Sequence, residues 1–107
     1  MLTTDLEGLG LSTEEAKVYL AVLELGGSYV SAIAKKAGVH RVSCYHTLGN
    51  LVGKGVISTF DKNGVKHFAV ESPKILVNQI EKKYVRAKKL LPELLSITNS
   101  MAYKPKI

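Results

Sequence analysis

The spacing of apolar residues changes character twice along this chain. From Leu11 to about Lys54 they recur every three or four residues, from Val56 to Val70 they gather in two short β-rich runs, and from Ser72 the helical spacing returns. "LSTEEAKVYLAVLELGG" predicts a first helix from about Ser12 to Leu25. Ser12 and Glu15 form a capping box, Glu14 and Glu15 suit the positive helix end, Ala16, Tyr19, Leu20 and Leu23 keep the period, and Gly26-Gly27 supply the stop. "SYVSAIAKKAG" predicts a short second helix capped by Ser31, with Ile33, Ala34 and Ala37 inward, Lys35 and Lys36 outward, and Gly38 ending it. A third helix is expected over about Arg41 to Lys54, ended by Gly55. Cys44, Thr47, Leu48 and Leu51 make its narrow inner stripe; Val42, His46, Gly49 and Gly53, flanked by Tyr45 and Asn50, make an outer side that is polar or small.

"VISTF" and "VKHFAV" then read as two strands joined through Asp61-Lys62-Asn63-Gly64, because Asn-Gly tolerates positive φ at both positions of a tight hairpin turn. A hairpin this small is unstable in water by itself, so it must lean on the helices. Ser72-Pro73 begins a long last helix whose residues Val77, Ile80, Tyr84, Ala87, Leu91 and Leu94 alternate steps of three and four, continued by Thr98 and Met101. That alternation marks a two-helix seam, widened by Leu76, Leu90 and Ile97. Pro92 removes one backbone donor and is expected to kink or interrupt the helix near residues 88 to 91. The tail "MAYKPKI" reads as polar and frayed.

The expected fold is therefore mainly α with a small β-hairpin. Two helices joined by a tight glycine turn, the second polar outside and followed by a hairpin, make a winged helix-turn-helix. The chain divides on this reading into residues 1–72, a winged helix-turn-helix, and residues 73–107, a dimerisation helix with its tail.

Composition narrows the function. At 107 residues the chain supports one core, with roughly two-thirds of the unfolded surface buried. No apolar run approaches the length of a membrane span, and "MLTTDLEGLG" lacks the basic and apolar blocks of a leader, so a cytoplasmic, unprocessed protein is expected. The formal charge of +6 is unevenly spread: up to Gly27 one lysine, Lys17, stands against five acids, while the remainder holds 14 Lys and Arg against four. A polyanion is thus expected to meet the later elements. Neither a nucleophile motif nor a glycine-rich phosphate loop nor paired carboxylates occur, so no enzyme is expected. The single cysteine, Cys44, falls on the inner stripe, where it acts as a small hydrophobe; its spacing from His40 is not read as a metal site, and no cofactor is expected.

From Leu9 to about Leu95 the chain resembles the TrmB-like family of archaeal and bacterial transcription regulators. "LGLSTEEAKVYLAVLELG" is similar to the family's first helix, "SAIAKKAGVHRVSCYHTLGNLVGKGVI" to its helix-turn-helix, and "LLPEL" to a block near its end. The resemblance implies a DNA-binding, usually dimeric regulator. The chain departs from the family pattern at His40, where proline is common, at Val42-Ser43, where the family has Ser-Thr, and at Gly49 and Gly53, which replace charged residues. Each glycine lowers helix stability by about 1 kcal/mol relative to alanine, so the third helix is expected to be soft. Larger members carry a C-terminal sugar-sensing domain that "YKPKI" would lead into; no small-molecule effector site is expected within this chain.

These readings converge on a sequence-selective regulator that binds double-stranded DNA as a homodimer, with a recognition helix at about 41–54 in the major groove and a wing at about 60–67 on the backbone or minor groove. Arg41 can bond guanine or brace a phosphate, Val42 can touch a thymine methyl, Ser43 and Tyr45 can bond phosphate, and His46 and Asn50 can read bases. Lys35, Lys36, Lys54, Lys62, Asn63 and Lys66 complete the expected DNA surface, and Val77, Ile80, Tyr84, Ala87, Leu91 and Leu94 the dimer interface. About six phosphate contacts would give a log-log salt slope near −5. The rival reading is a winged-helix module that docks a protein of the transcription machinery without reading DNA, which the small, weakly charged Val42, Gly49 and Gly53 favour. RNA binding comes third, for want of an aromatic stacking platform.

Overall fold

The structure, a computed structural model, describes residues 2–100. It comprises two compact units, one ending at Leu76 and the other beginning at Val77. The first unit starts with a helix the sequence pattern did not announce, α1 (Leu2–Gly8), whose Leu6 packs on the core. The predicted capping box then forms: Ser12 Oγ accepts from the Glu15 amide at 3.1 Å, and Glu15 Oε1 accepts from the Ser12 amide at 2.9 Å. Helix α2 (Thr13–Leu25) runs from it to Gly26, whose φ of 71° is the left-handed stop. Val18 and Val22 lie at its buried centre, whereas Leu23, which the periodicity placed inward, is 43% exposed. This helix is the hub of the unit, packed by α1, by the next two helices and by the sheet.

Ser28 and Tyr29 form a short strand, β1, paired antiparallel with β3 (Val65–Val70) through Ser28 to Phe68 and Tyr29 to His67. The pairing holds Tyr29 extended and lets α3 (Val30–Ala37) begin directly after it. The expected cap at Ser31 is therefore corrected: Tyr29 is the N-cap, without a side-chain cap bond, and Ser31 lies inside the helix. Gly38 closes α3 with φ 71°, and the chain turns into α4 (Arg41–Gly53), which stops at a Lys54 C-cap, slightly before the expected end. Cys44, Thr47, Leu48 and Leu51 are all buried, as the stripe predicted. Burying each of the fully enclosed Ile33, Leu48, Leu51 and Ile57 contributes about 1.5–3 kcal/mol.

Strand β2 (Ile57–Lys62) pairs with β3, and the hairpin turn contracts to Asn63-Gly64, with φ 52° and 77°. The sheet has three strands in the order β1-β3-β2, so the hairpin is steadied by β1 as well as by Ile57 and Phe68 in the core.

The last helix, α5 (Pro73–Ser100), opens with Ser72 Oγ accepting from the Lys74 amide. Ile75 and Leu76 pack on the first unit's core, which removes Leu76 from the expected seam. Pro92 lies within α5 without interrupting it. A proline removes a single donor, and the turns on either side keep theirs. Met101 and the tail from it to Ile107 lie outside the described residues.

Candidate nucleic-acid interface

The outer side of α4 follows from its inner one. With Cys44, Leu48 and Leu51 fully buried, Arg41, Val42, Tyr45, His46, Gly49 and Asn50 must face away, and all six are exposed, Val42 at 66% and Tyr45 at 53%. Among the described residues, nothing outside the helix's own backbone lies within 4 Å of where a side chain on Gly49 or Gly53 would begin. The helix start is plain: its N-cap, His40, makes no side-chain cap bond, and its first turn holds no acid.

The wing stands beside this start. A cleft of about 340 Å³ separates them, lined by Tyr29, Arg41, Tyr45, Lys66 and Phe68 among others. The Lys66 ammonium lies 6.0 Å from the Tyr45 ring centre and 5.6 Å from that of Phe68, so a cation bridges strand and helix over two aromatic faces. Lys62 and Asn63 are exposed at the wing tip, beside a second cleft of about 350 Å³ that Tyr29, Val65 and His67 share. The structure thus brings Arg41, Tyr45 and Lys66 to one place and Lys62 with Asn63 to an adjacent one. Lys35 and Lys36 are exposed in the last turn of α3, where they also offset its negative end.

Two of the expected contact residues also bond within the chain. The Ser43 hydroxyl, assigned above to phosphate, donates to the Glu14 carboxylate of α2 at 2.8 and 2.7 Å. Lys54 is ion-paired with Glu15, Nζ lying 2.9 Å from Oε2 and donating to Oε1 at 3.0 Å. Burial acts to raise the Glu15 carboxyl, but the Ser12 amide and Lys54 outweigh it and hold it below its ordinary range. Thr47 joins Ser43 on Glu14, and these two hydroxyls hold that carboxyl low as well. Cys44 is inert by comparison, its thiol pushed up to about 11 by burial and by the nearby Glu14 charge.

Sequence reasoning missed Tyr29 and its neighbours. Through β1, Tyr29 sits opposite His67, and His67 opposite Phe60, so three rings cross the sheet with centres 5.7 and 5.3 Å apart. Only the pairing of β1 creates that row, and two residues leave no periodic trace.

In the second unit the expected dimer residues Val77, Tyr84, Ala87, Leu91 and Leu94 are exposed and Ile80 is half-buried. The Lys88 ammonium lies 5.4 Å from the Tyr84 ring centre, one turn along. No described helix is long and apolar enough to cross a membrane.

Solved structures share this architecture. A possible transcriptional regulator from Methanosarcina mazei matches with a TM-score of 0.66 at 20% identity, over 82% of this chain and 80% of that one. TrmBL2, described as an archaeal chromatin protein with a novel mode of DNA binding, matches with a TM-score of 0.65 at 19% identity, over 96% of this chain and 43% of its own. A MarR-family regulator from Silicibacter pomeroyi matches with a TM-score of 0.59 at 15% identity, over 97% and 82%. These likenesses establish the winged-helix fold. No curated protein matches the chain. The family model described as "Sugar-specific transcriptional regulator TrmB" matches residues 6–89. With the helix-turn-helix, the wing and the start of α5 all inside that match, the chain belongs to the TrmB family of transcriptional regulators.

Proposed function

We propose that this protein is a sequence-selective, double-stranded DNA-binding regulator that acts as a homodimer. The outer side of α4 carries the reading: among the described residues of the first unit it is exposed, it bears Arg41, Val42, Tyr45, His46 and Asn50 on one surface, and it is bordered by the Lys66 bridge and the Lys62 tip. Phosphate contacts from Lys35, Lys36, Lys62 and Lys66 fix register, while Arg41, His46 and Asn50 meet base edges and Val42 a thymine methyl. Ser43 and Lys54, at the two ends of the helix, tie it to Glu14 and Glu15 of α2.

The dimer forms along α5. Val77 to Leu94 spans roughly 25 Å of helix at 1.5 Å per residue, and its seam of Val77, Ile80, Tyr84, Ala87, Leu91 and Leu94, all exposed but the half-buried Ile80, suits a second copy. Two recognition helices would then address half-sites roughly 34–36 Å apart. Selection of bound fragments from random duplex DNA, followed by titration with Arg41→Ala and Lys62→Ala, tests the reading. Arg41→Ala is expected to weaken the selected site most and Lys62→Ala to weaken all duplexes alike. A protein-docking module would be indifferent to both changes.

A further inference from the structure

The groups that set the direction of α4 lie on another helix. Glu14 is in the first turn of α2, and its carboxylate accepts from Ser43 Oγ on α4 at 2.8 and 2.7 Å and also from Thr47 Oγ1. Ser43 and Thr47 are one helical turn apart, the first half-buried and the second buried. A single acceptor holding donors at i and i+4 restrains rotation of the helix about its own axis. The packing of Cys44, Leu48 and Leu51 resists separation of the helices but is non-directional, whereas hydrogen bonds to a carboxylate demand both distance and angle.

The helix has little else to fix its start. His40 provides no side-chain cap and the first turn of α4 holds no acid. Glu14 brings a negative charge to Ser43, in that same first turn, while lying in the first turn of α2. One carboxylate therefore faces the positive ends of two helices. The hydroxyl bonds of Thr47 and Ser43 keep it ionised through the neutral range.

We propose that Glu14 is a positioning residue for DNA readout: its grip on Ser43 and Thr47 sets the rotation of α4 and so the direction in which Arg41, Tyr45, His46 and Asn50 project. The functional half of this proposal rests on the DNA-binding reading of α4; the geometric half stands without it. Lysine contacts to phosphate ride on flexible stems and on the wing, and tolerate a rotated helix. Contacts to base edges do not. Loss of the grip therefore removes discrimination between sequences more than it removes affinity for DNA.

Two measurements on the full chain test this, each with Glu14→Ala and with Ser43→Ala/Thr47→Val, which removes the donors and leaves α2 intact. The first uses no DNA: amide hydrogen exchange in α4 from residue 43 to 47 is expected to quicken about tenfold relative to the centre of α2. Glu24→Ala, an exposed acid on the same helix, is expected to change nothing. The second compares a selected duplex with a scrambled one by fluorescence anisotropy, at a temperature where circular dichroism shows every variant folded. The affinity ratio is expected to fall about tenfold, the size of one base-edge contact, with affinity for the scrambled duplex held within about twofold. Joining Glu14→Ala to the Ser43/Thr47 pair should add no further loss, as for groups acting as one unit. Unchanged exchange in α4 would overturn the grip itself. Quickened exchange with an unchanged affinity ratio would overturn the role in readout. A wild-type chain that binds neither duplex would refute the DNA reading and with it the readout role, while the exchange result still decides the geometric claim.

Discussion

Replacing Gly49 by alanine should stabilise this protein. Gly49 is within α4, exposed, without a positive φ, and an added Cβ would meet none of the described residues outside the helix's own backbone within 4 Å. The only change is then the backbone freedom a glycine retains in the unfolded chain, together with the water its bare backbone admits. That difference is about 1 kcal/mol in a helix interior. For a domain near this size it raises the unfolding midpoint by roughly 4–8 °C. Thermal unfolding followed by circular dichroism reads it directly. Gly53, the last residue of α4, should yield less because it lies at the fraying end. An unchanged or lowered midpoint for Gly49→Ala would mean that another surface approaches that backbone closely, contradicting the view of this side as uncovered. Repeating the scan at several protein concentrations would show whether the approaching surface is a second copy.

Acid should destabilise the fold through Glu14 and Glu15. Both carboxyls sit below their ordinary value of 4.5 when folded, so their contribution is complete above that value and is lost as pH falls through the folded ones. Urea midpoints between neutral pH and pH 3 should decline, and less steeply in Glu14→Gln/Glu15→Gln; parallel declines would assign the acid sensitivity to other groups. The Cys44 thiol, with its pKa pushed up to about 11, should ignore an aromatic disulfide reagent at pH 8 until denaturant is added. Rapid labelling of the native chain would show that α4 opens readily. Ile80→Glu/Leu91→Glu should sediment as a monomer with the spectrum of a folded chain, and a persisting dimer would reject the seam.

Much of the fold was legible because its signals are local. Ser12 with Glu15, Gly26, Gly38 and Asn63-Gly64 each act within a few residues, and the inner stripe of α4 follows from helical period alone. What escaped depends on distant pairing. Strand β1 exists because Ser28 and Tyr29 meet Phe68 and His67, and that pairing moves the start of α3 away from Ser31. Glu14 had a sufficient local explanation at a helix N-terminus, which concealed its bonds to Ser43 and Thr47 across 29 and 33 residues. Lys54 read only as part of the DNA surface, and its ion pair with Glu15 depends on the fold. Leu76 shared the period of α5 yet turns into the first unit's core.

The measurement closest to the central claim is duplex affinity as a function of salt. Four exposed lysines of the proposed surface, Lys35, Lys36, Lys62 and Lys66, would each neutralise a phosphate and displace counterions. Because Lys54 is tied to Glu15 and Arg41 is assigned to a base edge, the count is four rather than six, and log affinity against log salt should fall with a slope of about −3.6 per protomer. A flat response between low and moderate salt would contradict the account, since no surface built on these residues can bind DNA without releasing ions.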